Sequence, residues 1–206
     1  MKNFKAIAVI QARMSSKRLP GKVMFGLSGK PMIWHIVERL KASKYLEKII
    51  VATSNLPSDD ELADFCISSG IEIFRGDLEN VLSRYTQLME IYPSKYIVRV
   101  TGDCPLISAD FIDFQIEILD KYNSDLIWLK KNISILDGQA VYSFKLLEKV
   151  KNNCNSKEDL EHVGNPYISK NPDQFKIIAL DPDDEISKLS YRFSVDELND
   201  YLFIKK

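Results

Sequence analysis

Apolar and polar positions along this chain follow two periods that take turns. Ala6 to Ile10 (AIAVI) is a near-continuous apolar run, as in a strand buried on both faces of a parallel sheet. A polar, basic loop follows from Gln11 to Lys22. From Met32, MIWHIVERLKA sets Ile33, Ile36, Val37 and Leu40 on one helical face. Pro31 stands just before it, where a first helical turn tolerates proline. The cycle repeats. KIIVAT (48–53) reads as a strand. SDDELADFCISSG (58–70) reads as a helix with Ser58 as cap, acids in its first turn and Gly70 as stop. IEIF (71–74) and KYIVRVTG (95–102) read as strands flanking the helix ENVLSRYTQLMEIY (79–92). The helix ADFIDFQIEILDKY (109–122) and the strand DLIWL (125–129) close the series.

The last third is less regular. AVYSF predicts a strand, LEKVKN a helix, and LEHVGNPYIS a helical stretch ended by Pro172. FKIIAL and SYRFSV alternate like strands, and DPDDEIS between them reads as an exposed acidic turn.

Strands alternating with amphipathic helices predict an α/β fold, doubly wound around a mainly parallel sheet, with a small mixed part near the C-terminus. No repeat, low-complexity tract or linker divides the chain, so one domain over residues 1–206 is expected. Ligands of such sheets bind at the carboxyl ends of strands. That rule singles out the loops after Ile10, Thr53, Phe74 and Val100.

Composition narrows the partners. With 28 Lys and Arg against 29 Asp and Glu, the chain lacks the cation excess that nucleic-acid binding requires. The first apolar run is too short to span a membrane and is not followed by a cleavage signature. A cytoplasmic protein that binds neither nucleic acid nor membrane is expected. Cys66, Cys104 and Cys154 are scattered and odd in number, and only His35 and His162 occur. A disulfide framework, a zinc-thiolate site and a His-rich metal site are therefore not expected.

Three stretches carry candidate chemistry. QARMSSKRLPGK places Arg13, Lys17, Arg18 and Lys22 in one strand-end loop with small residues and the Pro20-Gly21 turn. It is either a polyphosphate-binding loop or a solvated basic turn. It is not a Walker A loop, because Gly21-Lys22 is followed by Val23 and position 16 is Ser. In YIVRVTGDCPLI, Asp103 follows an apolar strand and Gly102. A carboxylate there either binds Mg²⁺, which takes oxygen ligands and keeps substrate phosphates in its shell, or closes an Asx turn. Asp196 follows YRFSV and precedes ELNDYLF, where it is either a second metal ligand or a helix N-cap. Cys104 has no histidine near it in sequence and reads as packing, and His35 reads as structural.

Together, IQARMSSKRLPGKV, GKPMIWHIVERL, IIVATS, FRGDLENVLSRY, VRVTGDCPLI, LEHV and RFSVDEL resemble the cytidylyltransferases, in particular their SpsF-like, spore-coat polysaccharide branch. The resemblance covers most of the chain. It implies a nucleotide-diphospho-sugar transferase fold and transfer of CMP from CTP, with Mg²⁺, to a small acidic or sugar-like acceptor in surface glycan synthesis. It implies that Gln11, Ala12, Arg13, Ser15, Arg18 and Lys22 hold the nucleotide and its phosphates. Thr53, Ser54, Arg75 and Arg84 would line the nucleotide side. Asp103 and Asp196 would hold the metal, with Arg13, Lys22 and Asp103 catalytic. His162 would lie on the acceptor side, and a homodimer contact through LEHVGNPYI is a further implication. Two departures stand out: Ser15 where the branch usually has Gly, and QAVYSF after Asp137-Gly138 in place of an acidic pattern. Two rival readings stay open. One is a GT-A glycosyltransferase, which usually carries a DxD motif where this chain has TGDCP. The other is a non-catalytic nucleotide-binding protein.

Overall fold

The first apolar run becomes β1 (Phe4–Gln11), and Ala6 to Ile10 are fully buried. It lies between β4 (Leu46–Ser54) and β6 (Ser94–Thr101), parallel to both. Strand residues alternate faces, so each side of β1 meets its own layer. Ala6, Ala8 and Ile10 pack with α1 (Met32–Leu40), α2 (Asp60–Ser68) and α4 (Ala109–Tyr122). Ile7 and Val9 pack with α3 (Val81–Ile91) and α5 (Phe144–Asn153). Each fully buried Ile or Leu in these layers contributes roughly 1.5–3 kcal/mol.

The coordinates come from a computed structural model and describe residues 4–129, 139–180 and 193–206. With β5 (Glu72–Gly76), β7 (Leu126–Leu129), β8 (Gln139–Ser143) and β9 (Ile177–Leu180), the described strands form a seven-stranded sheet in the order β5-β4-β1-β6-β8-β7-β9. Only β8 runs antiparallel to its neighbours in this sheet. A separate hairpin pairs β2 (Gly26–Leu27) with β3 (Lys30–Pro31). From β1 the chain winds outward through β4 and β5, then returns to β6 on the other side of β1. The strand order thus reverses between β1 and β6, and their carboxyl ends are where a ligand site is expected.

Three local expectations are corrected. Ser58 sits inside a 3-10 turn, Pro57–Asp59, and Asp59 takes the position before α2. LEHVGNPYIS splits into α6 (Lys157–Glu161) and α7 (Asn165–Lys170) at Gly164, whose φ is +75°. A Cβ there would lie 2.1 Å from Val150 Cγ1, so the break is set by close approach to α5. Phe193 to Asp196 form no strand, because Val195 gives its N–H to the Asp103 carbonyl instead of a ladder partner. The expected acidic turn and residues 190–192 lie outside the described residues. The C-terminal helix α8 (Leu198–Ile204) starts at Glu197, which forms a capping box with Asp200. The N-cap of α8 is thus Glu197, where the sequence offered Asp196.

Candidate active site

A cleft of about 350 Å³ opens at the carboxyl ends of β1 and β6. Gly102 makes their close approach possible. Its N–H donates to Gln11 O at 2.9 Å, and a Cβ on it would lie 2.9 Å from Ala12 Cβ. Gln11 Oε1 accepts from Arg99 Nε at 3.0 Å and Tyr85 OH at 3.3 Å. Both acceptor sites are then used, which leaves the Gln11 amide N–H group as the end available to a ligand.

The basic loop closes on itself through Met14, whose carbonyl accepts from Ser16 N at 3.0 Å and Gly21 N at 2.8 Å. Gly21 has φ +72°, and the chain then enters a 3-10 turn that buries Lys22. Lys22 Nζ donates to Asp103 Oδ2 at 2.8 Å, Asp196 Oδ1 at 3.1 Å and Val195 O at 2.7 Å. Arg18 pairs with Asp196 at 2.7 Å, and Arg13 with Glu161 at 3.4 Å. Burial alone would raise the Asp103 carboxyl. The Lys22 ammonium, with Thr101 and Cys104 hydrogen bonds, outweighs it and holds the group below the ordinary carboxylate value.

Arg84 enters from α3, almost fully buried. Nη1 donates to Ala52 O at 3.0 Å and Nη2 to Leu78 O at 3.4 Å, while Nε has no partner among the described residues. Burial pulls its guanidinium below the ordinary value. A buried cation with an idle donor at a cleft wall is suited to an anionic ligand. Arg13, Lys17, Arg18, Lys22 and Arg84 face Asp103, Glu161 and Asp196 across the cleft, an excess of positive charge.

Of the residues expected at the site, Gln11, Ala12, Arg13, Arg18, Lys22, Arg84, Asp103 and Asp196 line the cleft. Four do not. Ser15 is exposed outside the lining. Thr53 and Ser54 are fully buried with their hydroxyls on the Asp59 carboxylate. Arg75 donates to Ser54 O at 2.9 Å and Leu56 O at 2.8 Å and pairs with Asp60 at 2.7 Å. His162 lies in the lining beside Glu161. Tyr85, Arg99 and Asp59 were not singled out by sequence reasoning. Arg99 did carry a signal, a cation within an otherwise apolar strand.

Among the described residues no group of three or more His, Cys, Asp or Glu could hold a metal. Asp103 and Asp196 converge on Lys22 Nζ, and carboxylate oxygens such as theirs are the ligand type that a hard cation of the Mg²⁺ class takes. Such a cation is commonly bound by one or two carboxylates and completed by water and substrate phosphates.

A cation-walled cleft with paired carboxylates at the switch point of a mainly parallel sheet is the architecture of a nucleotide-handling α/β protein. The family model for cytidylyltransferases matches residues 7–205, and the chain belongs to that family. It is 40% identical over 197 residues to an uncharacterised protein of Methanocaldococcus jannaschii, spanning 96% of this chain and 80% of that protein. It is 30% identical over 201 residues to the spore coat polysaccharide biosynthesis protein SpsF of Bacillus subtilis, spanning 96% and 83%. A cytidylyltransferase structure from Leptospira borgpetersenii superposes with a TM-score of 0.88 at 29% identity, over 98% of this chain and 86% of that one. None of the described helices is long and apolar enough to cross a membrane.

Proposed function

We propose that this chain transfers CMP from CTP to a small acidic or sugar-like acceptor and releases pyrophosphate. The observation that carries the reading is the Lys22 ammonium, buried between Asp103 and Asp196 at the mouth of the basic loop. A triphosphate brings the negative charge that the cleft's surplus cations lack. The SpsF relative supports an acceptor used in surface glycan assembly.

The acceptor oxygen attacks the α-phosphorus of CTP and pyrophosphate leaves in line. Catalysis of this kind is positioning and charge neutralisation more than covalent chemistry. Arg13, Lys17 and Arg18 bind the β- and γ-phosphates, while Lys22, whose three N–H donors go to Asp103, Asp196 and Val195, acts through its charge and by holding the two carboxylates together. Gln11 and Arg84 donate hydrogen bonds from the cleft wall. Asp103 and Asp196 would hold Mg²⁺, which when bound would supply Lewis-acid polarisation.

The test is a screen of the four ribonucleoside triphosphates with Mg²⁺ against pooled sugar acids, phosphorylated sugars and alditols, following pyrophosphate. CTP-dependent release that requires an acceptor is expected. Consumption of a preformed nucleotide sugar with no pyrophosphate would replace this reading with glycosyl transfer.

A further inference from the structure

The basic loop is held from behind by a carboxylate that does not reach the cleft. Asp59 ends the Pro57–Asp59 turn and is fully buried. Its Oδ2 accepts from Thr53 Oγ1 at 2.9 Å, from Ser54 N at 3.1 Å and from the Ser54 hydroxyl. Those donors close the carboxyl end of β4. Its Oδ1 accepts from Met14 N at 2.7 Å. Met14 lies in the loop, between Arg13 and Ser15.

A buried charge is costly unless it is fully satisfied. Burial raises the Asp59 carboxyl, yet the donors from Ser54, Met14 and Thr53 prevail and hold it below its ordinary value. A carboxylate suits this position because it must accept on both sides. An asparagine would turn an N–H₂ group toward either Met14 N or the Thr53 and Ser54 donors.

The Met14 peptide is the hub of the loop. Its N–H is fixed to Asp59, and its carbonyl accepts from Gly21 N, immediately before Lys22. We infer that Asp59 is a positioning residue, which fixes the Met14 peptide so that Arg13 on one side and Lys22 on the other are presented to the cleft. Its effect on nucleotide binding rests on the cytidylyl-transfer reading. The fixation of the loop does not.

Asp59→Asn in the full chain tests this with two readouts. The first is amide hydrogen exchange without ligand. Met14 and Gly21 should exchange faster by about tenfold or more, the loss of a charge-assisted bond, while α4 and β6 keep wild-type protection. A general loss of stability would speed all of them together. The second is the affinity for CTP with Mg²⁺ by calorimetry, well below the unfolding temperature. It should weaken about tenfold, as expected when a charged contact loses its preorganisation. If Asp59→Asn does not fold, Ser54→Ala carries the same comparison with a smaller change of about threefold. Unchanged Met14 exchange overturns the inference, as does faster exchange with full CTP affinity. Wild-type protein that binds no CTP overturns the cytidylyl-transfer reading, and exchange at Met14 then decides the anchor alone.

Discussion

Val195 donates its backbone N–H to the carbonyl of Asp103 at 2.8 Å. This bond fastens the C-terminal segment to the loop after β6. It sets Asp196 beside Asp103, so that one lysine, Lys22, serves both carboxylates. The chain thus assembles a two-acid site from a strand end and a distant irregular segment. The cation between them comes from the first loop.

Asp103→Asn keeps the shape of this site and removes a charge. Pyrophosphate release should fall by about a hundredfold or more, the usual scale for losing one key electrostatic contact. Far-ultraviolet circular dichroism should be unchanged. Activity within a few-fold of wild type would remove Asp103 from the chemistry.

Acid should destabilise the protein through Asp103 and Asp59, both held below the ordinary carboxylate value. A depressed carboxyl adds stability that is fully present above its unfolded pKa, about 4. That stability is lost as pH falls through the lower, folded value. Melting temperatures should show no change from these groups between pH 7 and pH 5, where their contribution is complete, and then decline below about pH 4. The decline should be shallower in Asp59→Asn. An equally steep decline in that variant would deny Asp59 its share.

Gly102→Ala should damage the site through backbone displacement. The new methyl would meet Ala12 Cβ at 2.9 Å and Gln11 O at 3.1 Å, neither of which is the end of a flexible side chain. Forcing an extra methyl into close packing costs about 1–3 kcal/mol. A drop in both melting temperature and CTP affinity is expected. Wild-type values for both would show that β1 and β6 can part without consequence.

Much of this could be read from the sequence, for physical reasons that differ by segment. The run from Ala6 to Ile10 announced a central strand because both of its faces are covered. The place of Asp103 at the cleft was readable because a glycine at a strand end precedes it. Thr53 and Ser54 were expected to face the nucleotide, yet polar side chains at a strand end can be claimed by a neighbour, and here Asp59 claims them. SYRFSV alternates as a strand does, but no pattern of hydrophobicity tells that Val195 bonds across the cleft. The Lys22–Asp196 pairing spans almost the whole chain and follows from topology, which local periodicity does not encode.

Calorimetry of CTP binding with Mg²⁺, comparing wild type with Lys22→Ala, tests the central claim most directly. Lys22 contacts both carboxylates and stands at the end of the basic loop. Binding in the wild type and a loss of about tenfold or more in the variant are predicted, because without Lys22 two adjacent carboxylates stand unneutralised beside the triphosphate. Equal CTP affinity in the two proteins would contradict the account.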